Sequence, residues 1–340
     1  MCRSTPSERH RCSRASAWQE AEGVRIWICG VRGSTPVSGT DYLRYGGHTS
    51  CVAIAHDGHV PSLVIDAGTG IRRVDDMFGA GPGLLGGQAF AGSIILGHLH
   101  WDHVQGLPFF GAANHPDART DLYLPAGEDA RGVGNDSGER AKGGVGGGGG
   151  IGGVESLLER FMSPPFFPIP PSGLAGTWRY IGLVPGVRQI EGFTVTSLEI
   201  PHSTGRTYGL RIEDGKTAIA YLSDHCPTRL GPGPDGLGEL HDAALTLANG
   251  VDLLLHDAQY SDEELPERAR FGHASCGYAV SLAEAASVRQ LLLFHHDPAR
   301  RDDEIDELVS HYVRRTVQVD AASETMVIDL PKSDGTASST

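Results

Sequence analysis

The chain has 340 residues, a formal net charge of −14 and cysteines only at positions 2, 12, 29, 51, 226 and 276, with no Cys-x-x-Cys pair. This acidity disfavours broad electrostatic capture of nucleic acid, although a local basic groove stays open, and the sparse cysteines argue for reduced thiols in a cytoplasmic protein rather than a disulfide-stapled secreted one. No apolar run approaches the roughly 18 residues of a membrane helix, and residues 1–22 lack the apolar stretch of a secretory signal.

Residues 1–22, with Arg3, Arg9, Arg11 and Arg14 among serines and threonines, read as a disordered extension or a misassigned start. Truncation near Val24 is expected to leave activity intact. Val24–Cys29 alternates as a first strand, and Gly30-Val-Arg-Gly33-Ser-Thr-Pro36 breaks it. That turn lacks the Gly-Lys-Ser/Thr of a phosphate cradle and is taken as an ordinary turn. Strands follow at Ser50–Ala55 and Ser62–Asp66; His48, between them, either lines a site or sits satisfied on the surface.

The densest chemistry comes next, where Ser93-Ile-Ile-Leu runs into His98-x-His100-x-Asp102-His103. Residues two apart in extended backbone point the same way, so His98 and His100 can share one cation. A helix starting near Asp102 would splay Asp102 and His103 toward a second. Imidazole and carboxylate together suit zinc, manganese or iron, which makes a metalloenzyme the expectation.

Asp121–Leu124 is a further strand, and the glycine-rich stretch within 132–153 is a flexible insertion. Val154–Phe161 has helical spacing; the proline-rich Ser163–Ser172 must be extended or turned, its aromatics either walling a cleft or packing on the core. Strands at Phe193–Leu198, Thr207–Ile212 and Lys216–Leu222 include a hairpin around Asp214-Gly215. Asp252–His256 and Gln290–Phe294 read as buried strands, with a helix at Gly277–Val288 between them. A last helix at Asp302–Arg315 is acidic at its start and basic at its end, as the macrodipole favours. Residues 331–340 read as a disordered tail, leaving one domain over 23–330.

These residues resemble the metallo-β-lactamase superfamily of hydrolases. The likeness rests on the His98–His103 cluster, Leu63-Val-Ile-Asp66, Ile200-Pro-His202, Tyr221-Leu-Ser-Asp224 and Leu291-Leu-Leu-Phe-His295, in that order. It implies a four-layer αββα sandwich, two mixed β-sheets flanked by helices, with the site along one edge. It also implies two divalent cations per chain, zinc first and manganese or iron as alternatives. His98, His100 and His202 would hold one, Asp102, His103 and His295 the other, with Asp224 bridging and Asp66 supporting the histidines rather than binding. His225 and His296 are each adjacent to an assigned ligand and open as replacements; Cys226 is a weak candidate. His10, His56, His59, His115, His241 and His311 lack motif context and are expected to be solvated.

Leu254-Leu-His256-Asp257-Ala and Phe271-Gly-His273-Ala-Ser resemble elements of the ribonuclease Z-like phosphodiesterases. The implied reaction is phosphodiester hydrolysis by a hydroxide generated at the metals, with Asp102 and His273 catalytic and His273 protonating the leaving alkoxide. Asp257 stands where that family often has glutamate. Because Asp224 follows His202 by only 22 residues, there is no room for a tRNA-gripping arm between them. A small or cyclic nucleotide-like diester is therefore expected, structured tRNA and membranes are not expected partners, and a homodimer is open. Thioester or lactone hydrolysis and a non-catalytic metal sensor are the alternatives.

Overall fold

The structure is a computed structural model that describes residues 23–79, 87–126, 153–203 and 205–331. The expected N-terminal extension and nearly all of the glycine-rich insertion and tail lie outside these residues. The chain forms β1 (Gly23–Gly30), β2 (Cys51–His56), β3 (Leu63–Ile65), β4 (Ala91–Ile95), β5 (Arg119–Pro125) and β6 (Thr177–Leu183). It continues with β7 (Gly186–Ile190), β8 (Phe193–Glu199), β9 (Tyr208–Glu213), β10 (Ala218–Leu222), β11 (Leu253–Asp257), β12 (Gln290–Phe294), β13 (Gln318–Ala321) and β14 (Val327–Pro331).

Two seven-stranded sheets result, ordered β14-β1-β2-β3-β4-β5-β6 and β13-β12-β11-β10-β9-β8-β7. Both are mixed. The first is antiparallel from β14 to β3 and parallel from β3 to β6. The second is parallel from β13 to β10 and antiparallel from β10 to β7.

The continuous apolar runs of β10, β11 and β12 follow from burial on both faces. Ile219, Tyr221, Leu253, Leu255, Leu292 and Phe294 point into a core shared with Ile26, Val52 and Leu63 of the other sheet. Their neighbours Ala220, Leu222, Leu254, Leu291 and Leu293 face outward onto α-helical residues such as Leu247, Tyr278 and Leu282. The outer face of the first sheet packs in the same way on Ile71, Val74 and Val104. Helix, sheet, sheet and helix make the four expected layers.

Three expectations about local structure change. The last helix covers Asp302–Ser310 and has no basic residue in its final turn; Arg315 lies beyond it and pairs with Glu284 across to the neighbouring helix Cys276–Ala285. His56 is buried rather than solvated, stacked on Phe193 at 4.1 Å between centroids, with Nε2 donating to the Glu191 carbonyl at 3.1 Å. His241 is half-buried beside His225. Among the described residues no helix is long and apolar enough to cross a membrane.

Candidate metal centre

Strand ends of both sheets converge on one cluster of side chains. After β4 the chain bends at Gly97, is extended at His100, whose φ and ψ are −68° and 154°, and then turns into the short helix Trp101–Val104. Before that helix His98 and His100 come together with ring centroids 4.5 Å apart. The helical turn directs Asp102 and His103 to a separate position, as the spacing predicted. Asp224 arrives from the end of β10 and His295 directly after β12.

The donor atoms of His98, His100, His202 and Asp224 all lie within 4.8 Å of one another, as do those of Asp102, His103, Asp224 and His295. Asp224 belongs to both groups: its Oδ1 is 3.5 Å from His202 Nε2, and its Oδ2 is 2.9 Å from His103 Nε2 and 3.3 Å from His295 Nε2. All seven residues expected to bind metal are therefore brought together.

The histidines are held in defined tautomers from behind. His103 Nδ1 donates to Asp66 Oδ2 at 2.7 Å, His202 Nδ1 to the Gly272 carbonyl at 2.6 Å, and His295 Nδ1 to Gln259 Oε1 at 3.0 Å. Each bond leaves Nε2 facing the cluster, the arrangement that metal-binding imidazoles use. Asp66 also accepts from Tyr221 Oη at 2.6 Å and from the Gly97 amide at 2.8 Å. Gly272 has a φ of 95°, and a Cβ there would stand 2.9 Å from His202 Nδ1, so a larger residue would disturb that support.

The electrostatics favour a cation. Burial pushes His98 well below its ordinary pKa, lowers His100, and takes His202 down to about 4, so these imidazoles are neutral. Burial opposes charge on His103 and His295 as well, but Asp224 and Asp102 outweigh it and raise both. Burial would raise Asp102 and Asp224, yet the neighbouring histidines, His103 foremost, hold both carboxylates below their usual range. Divalent cations would take over that compensation and displace the protons. Two buried atoms lack any hydrogen-bond partner here, His98 Nε2 and Asp224 Oδ1, only 3.6 Å apart. Buried polar atoms are nearly always satisfied, and a cation between these two would satisfy both.

The adjacent candidates point elsewhere. His225 Nδ1 meets His256 Nε2 at 3.1 Å, and His296 Nε2 donates to the Ala322 carbonyl at 2.9 Å. Cys226 Sγ lies 3.4 Å from Thr228 Oγ1 and 3.7 Å from the Ala269 carbonyl. His48 is half-buried with Nδ1 3.2 Å from Thr69 Oγ1.

Three supports escaped the sequence reading. The Ser34 amide, in what looked like an ordinary turn, donates to Asp102 Oδ2 at 2.7 Å. Gln259 and Tyr221 hold His295 and Asp66. The glycine at position 33 was the available signal, since a Cβ there would fall 2.5 Å from the His295 ring.

His273 Nδ1 is 2.7 Å from Asp257 Oδ2 and 3.8 Å from Asp224 Oδ1. It lines a cleft of about 490 Å³ together with Ser34, Leu99, His100, Trp101, Asp102, His202, Asp224, Tyr260 and Phe271.

A family model described as a Beta-lactamase superfamily domain matches residues 153–296. Residues 153–296 are thus similar to that domain, and the described residues share a metallo-beta-lactamase fold with solved structures. Similar solved structures include a metallo-beta-lactamase fold protein from Bacillus subtilis, with a TM-score of 0.60, 16% identity and coverage of 91% of this chain and 100% of that one. The short form of human tRNase Z superimposes with a TM-score of 0.57 at 18% identity over 90% of this chain and 99% of its own. At these identities the likeness establishes the fold.

Curated relatives are named Ribonuclease Z. That of Natronomonas pharaonis is 21% identical over 84% of this chain and 92% of its own length. That of Streptococcus mutans is 35% identical over a shorter stretch, 32% of this chain and 38% of the relative. These relatives overturn the expectation that structured tRNA is not a partner. Proteins named for ribonuclease Z or tRNase Z match 84% and 90% of this chain, so the short His202–Asp224 interval is no ground for setting structured tRNA aside.

Proposed function

We propose that this protein is a metal-dependent hydrolase that cleaves a phosphodiester bond. In this reading His98, His100 and His202 hold one divalent cation, Asp102, His103 and His295 hold a second, and Asp224 serves both. The imidazole-rich donor set suits zinc. Such cations lower the pKa of water and neutralise charge on the phosphoryl oxygens.

The observation that carries the reading is His273 on the cleft wall beside Asp224, paired from behind with buried Asp257. A phosphodiester leaves as an alkoxide, which needs a proton near neutral pH, and imidazole is suited to deliver one. Asp257 accepts from Nδ1 and orients the ring, which leaves Nε2 as the atom that gives up the proton. Water oxygen bonds to phosphorus as the phosphorus–oxygen ester bond breaks, the leaving oxygen takes the proton from His273 Nε2, and the proton lost by the attacking water restores that nitrogen, yielding an alcohol and a phosphomonoester. An RNA strand and a small or cyclic nucleotide-like molecule present the same reacting group, so the reading names the bond and not the size of the substrate.

A panel of zinc-loaded assays with a tRNA precursor, a cyclic nucleotide, a thioester and a lactone tests this, comparing wild type with His273→Ala. Turnover of a diester that falls in the variant supports it. Turnover confined to the thioester or lactone, unaffected by the change, overturns it.

A further inference from the structure

The cleft has an apolar lip that hydrolysis itself does not call for. Trp101 is 72% exposed and Phe271 54% exposed, and both line the cleft that reaches Asp102, Asp224 and His273. Half-buried Leu99 extends the same wall. Trp101 opens the helix Trp101–Val104 between His100 and Asp102, while Phe271 directly precedes Gly272, whose carbonyl holds His202. Two rings are thus fixed to the backbone segments that position the reacting centre. Among the described residues neither is paired with another aromatic ring. The Arg270 guanidinium lies over the Phe271 ring, 4.7 Å from its centroid, and places a positive charge by the cleft.

Apolar side chains gathered at the mouth of one cleft mark a ligand groove where a single exposed ring would not, and flat apolar faces beside a phosphate-directed centre match one chemistry well. Nucleobases stack on such rings irrespective of their hydrogen-bonding edges. The cleft, about 490 Å³, is of the size that holds a small ligand. We propose that Trp101 and Phe271 form a base-binding subsite, against which the nucleobase adjoining the scissile phosphodiester stacks. The proposal rests on the phosphodiesterase reading for its substrate, but its binding chemistry can be tested apart from turnover.

The first arm compares kcat/KM for an adenosine dinucleotide with that for an abasic dinucleotide of the same backbone. Wild type should favour the base-bearing diester, and Trp101→Ala should reduce that ratio about tenfold or more, with a smaller loss in Phe271→Ala and retention in Trp101→Phe. A ratio unchanged in Trp101→Ala and Phe271→Ala overturns the subsite. The second arm measures binding of adenosine monophosphate and ribose 5-phosphate to the zinc-loaded protein by calorimetry. Tighter binding of the nucleotide, abolished by Trp101→Ala, supports the subsite even if no diester is hydrolysed, in which case only the phosphodiesterase reading fails. Equal binding of the two phosphates by wild type overturns the subsite whatever the protein hydrolyses. Repeating the first arm with a tRNA precursor separates a strand terminus from a mononucleotide as the source of the base.

Discussion

Asp66 and His103, 37 residues apart, are joined by a 2.7 Å hydrogen bond from Nδ1 to Oδ2 within a fully buried pocket. Asp66 has a φ of 58°, and the same left-handed backbone recurs at Asp224 (58°) and His295 (62°). Non-glycine residues rarely adopt it, and it tends to persist where function maintains it. All three follow the ends of strands β3, β10 and β12, where the turn of the backbone aims each side chain toward the cluster.

Replacing Asp66 by alanine should free the His103 ring and leave Tyr221 Oη without its acceptor. Zinc affinity is expected to fall about 10–100-fold, the usual effect of removing a residue that orients a ligand. Competition with a chromogenic chelator reads this directly, and wild-type affinity in the variant would contradict the support role.

Asp224 faces both donor groups, whereas Cys226 bonds to Thr228 and the Ala269 carbonyl. Metal analysis of Asp224→Ala should therefore show loss at both positions, and Cys226→Ala should bind the wild-type amount. The opposite pattern would move the bridging role to the cysteine.

Gly33→Ala places a methyl group 2.5 Å from the His295 ring and 2.8 Å from Gln259 Oε1. Neither group can retreat without breaking the bond between them, so the second cation should be held less tightly while the fold persists. A circular dichroism spectrum like wild type with zinc stoichiometry falling toward one would fit. Full occupancy with unchanged affinity would show that the turn yields.

His273 is assigned to the leaving group, and its removal should matter in proportion to how poor that group is. With a nucleoside alcohol leaving, His273→Ala is expected to lose about 10²–10⁴-fold in kcat. With 4-nitrophenolate, which needs no proton, the loss should be far smaller. Equal losses for the two would assign His273 to some other task.

The central strands and the cluster were legible because burial on both faces writes itself as continuous apolar sequence. β12 coincides with the expected Gln290–Phe294, and β11 is offset by one residue from the expected Asp252–His256. The four strands that were not anticipated, β6, β7, β13 and β14, are the four sheet edges. Edge strands have a partner on one side only, and β6 and β7 are largely half-exposed, so their sequences lack a clean period. Within the site, histidine and aspartate at close spacing signalled the donors, but Ser34, Gln259 and Tyr221 act through contacts made across the fold, 68, 36 and 155 residues from their partners. His56 was misread for the same reason: its ring is buried by Phe193, far along the chain.

The most direct test is to titrate metal-free protein with zinc while following hydrolysis of an adenosine dinucleotide. Turnover should rise with zinc and saturate at two equivalents per chain. A protein that takes up two equivalents without cleaving that dinucleotide, a cyclic nucleotide or a tRNA precursor would contradict the account.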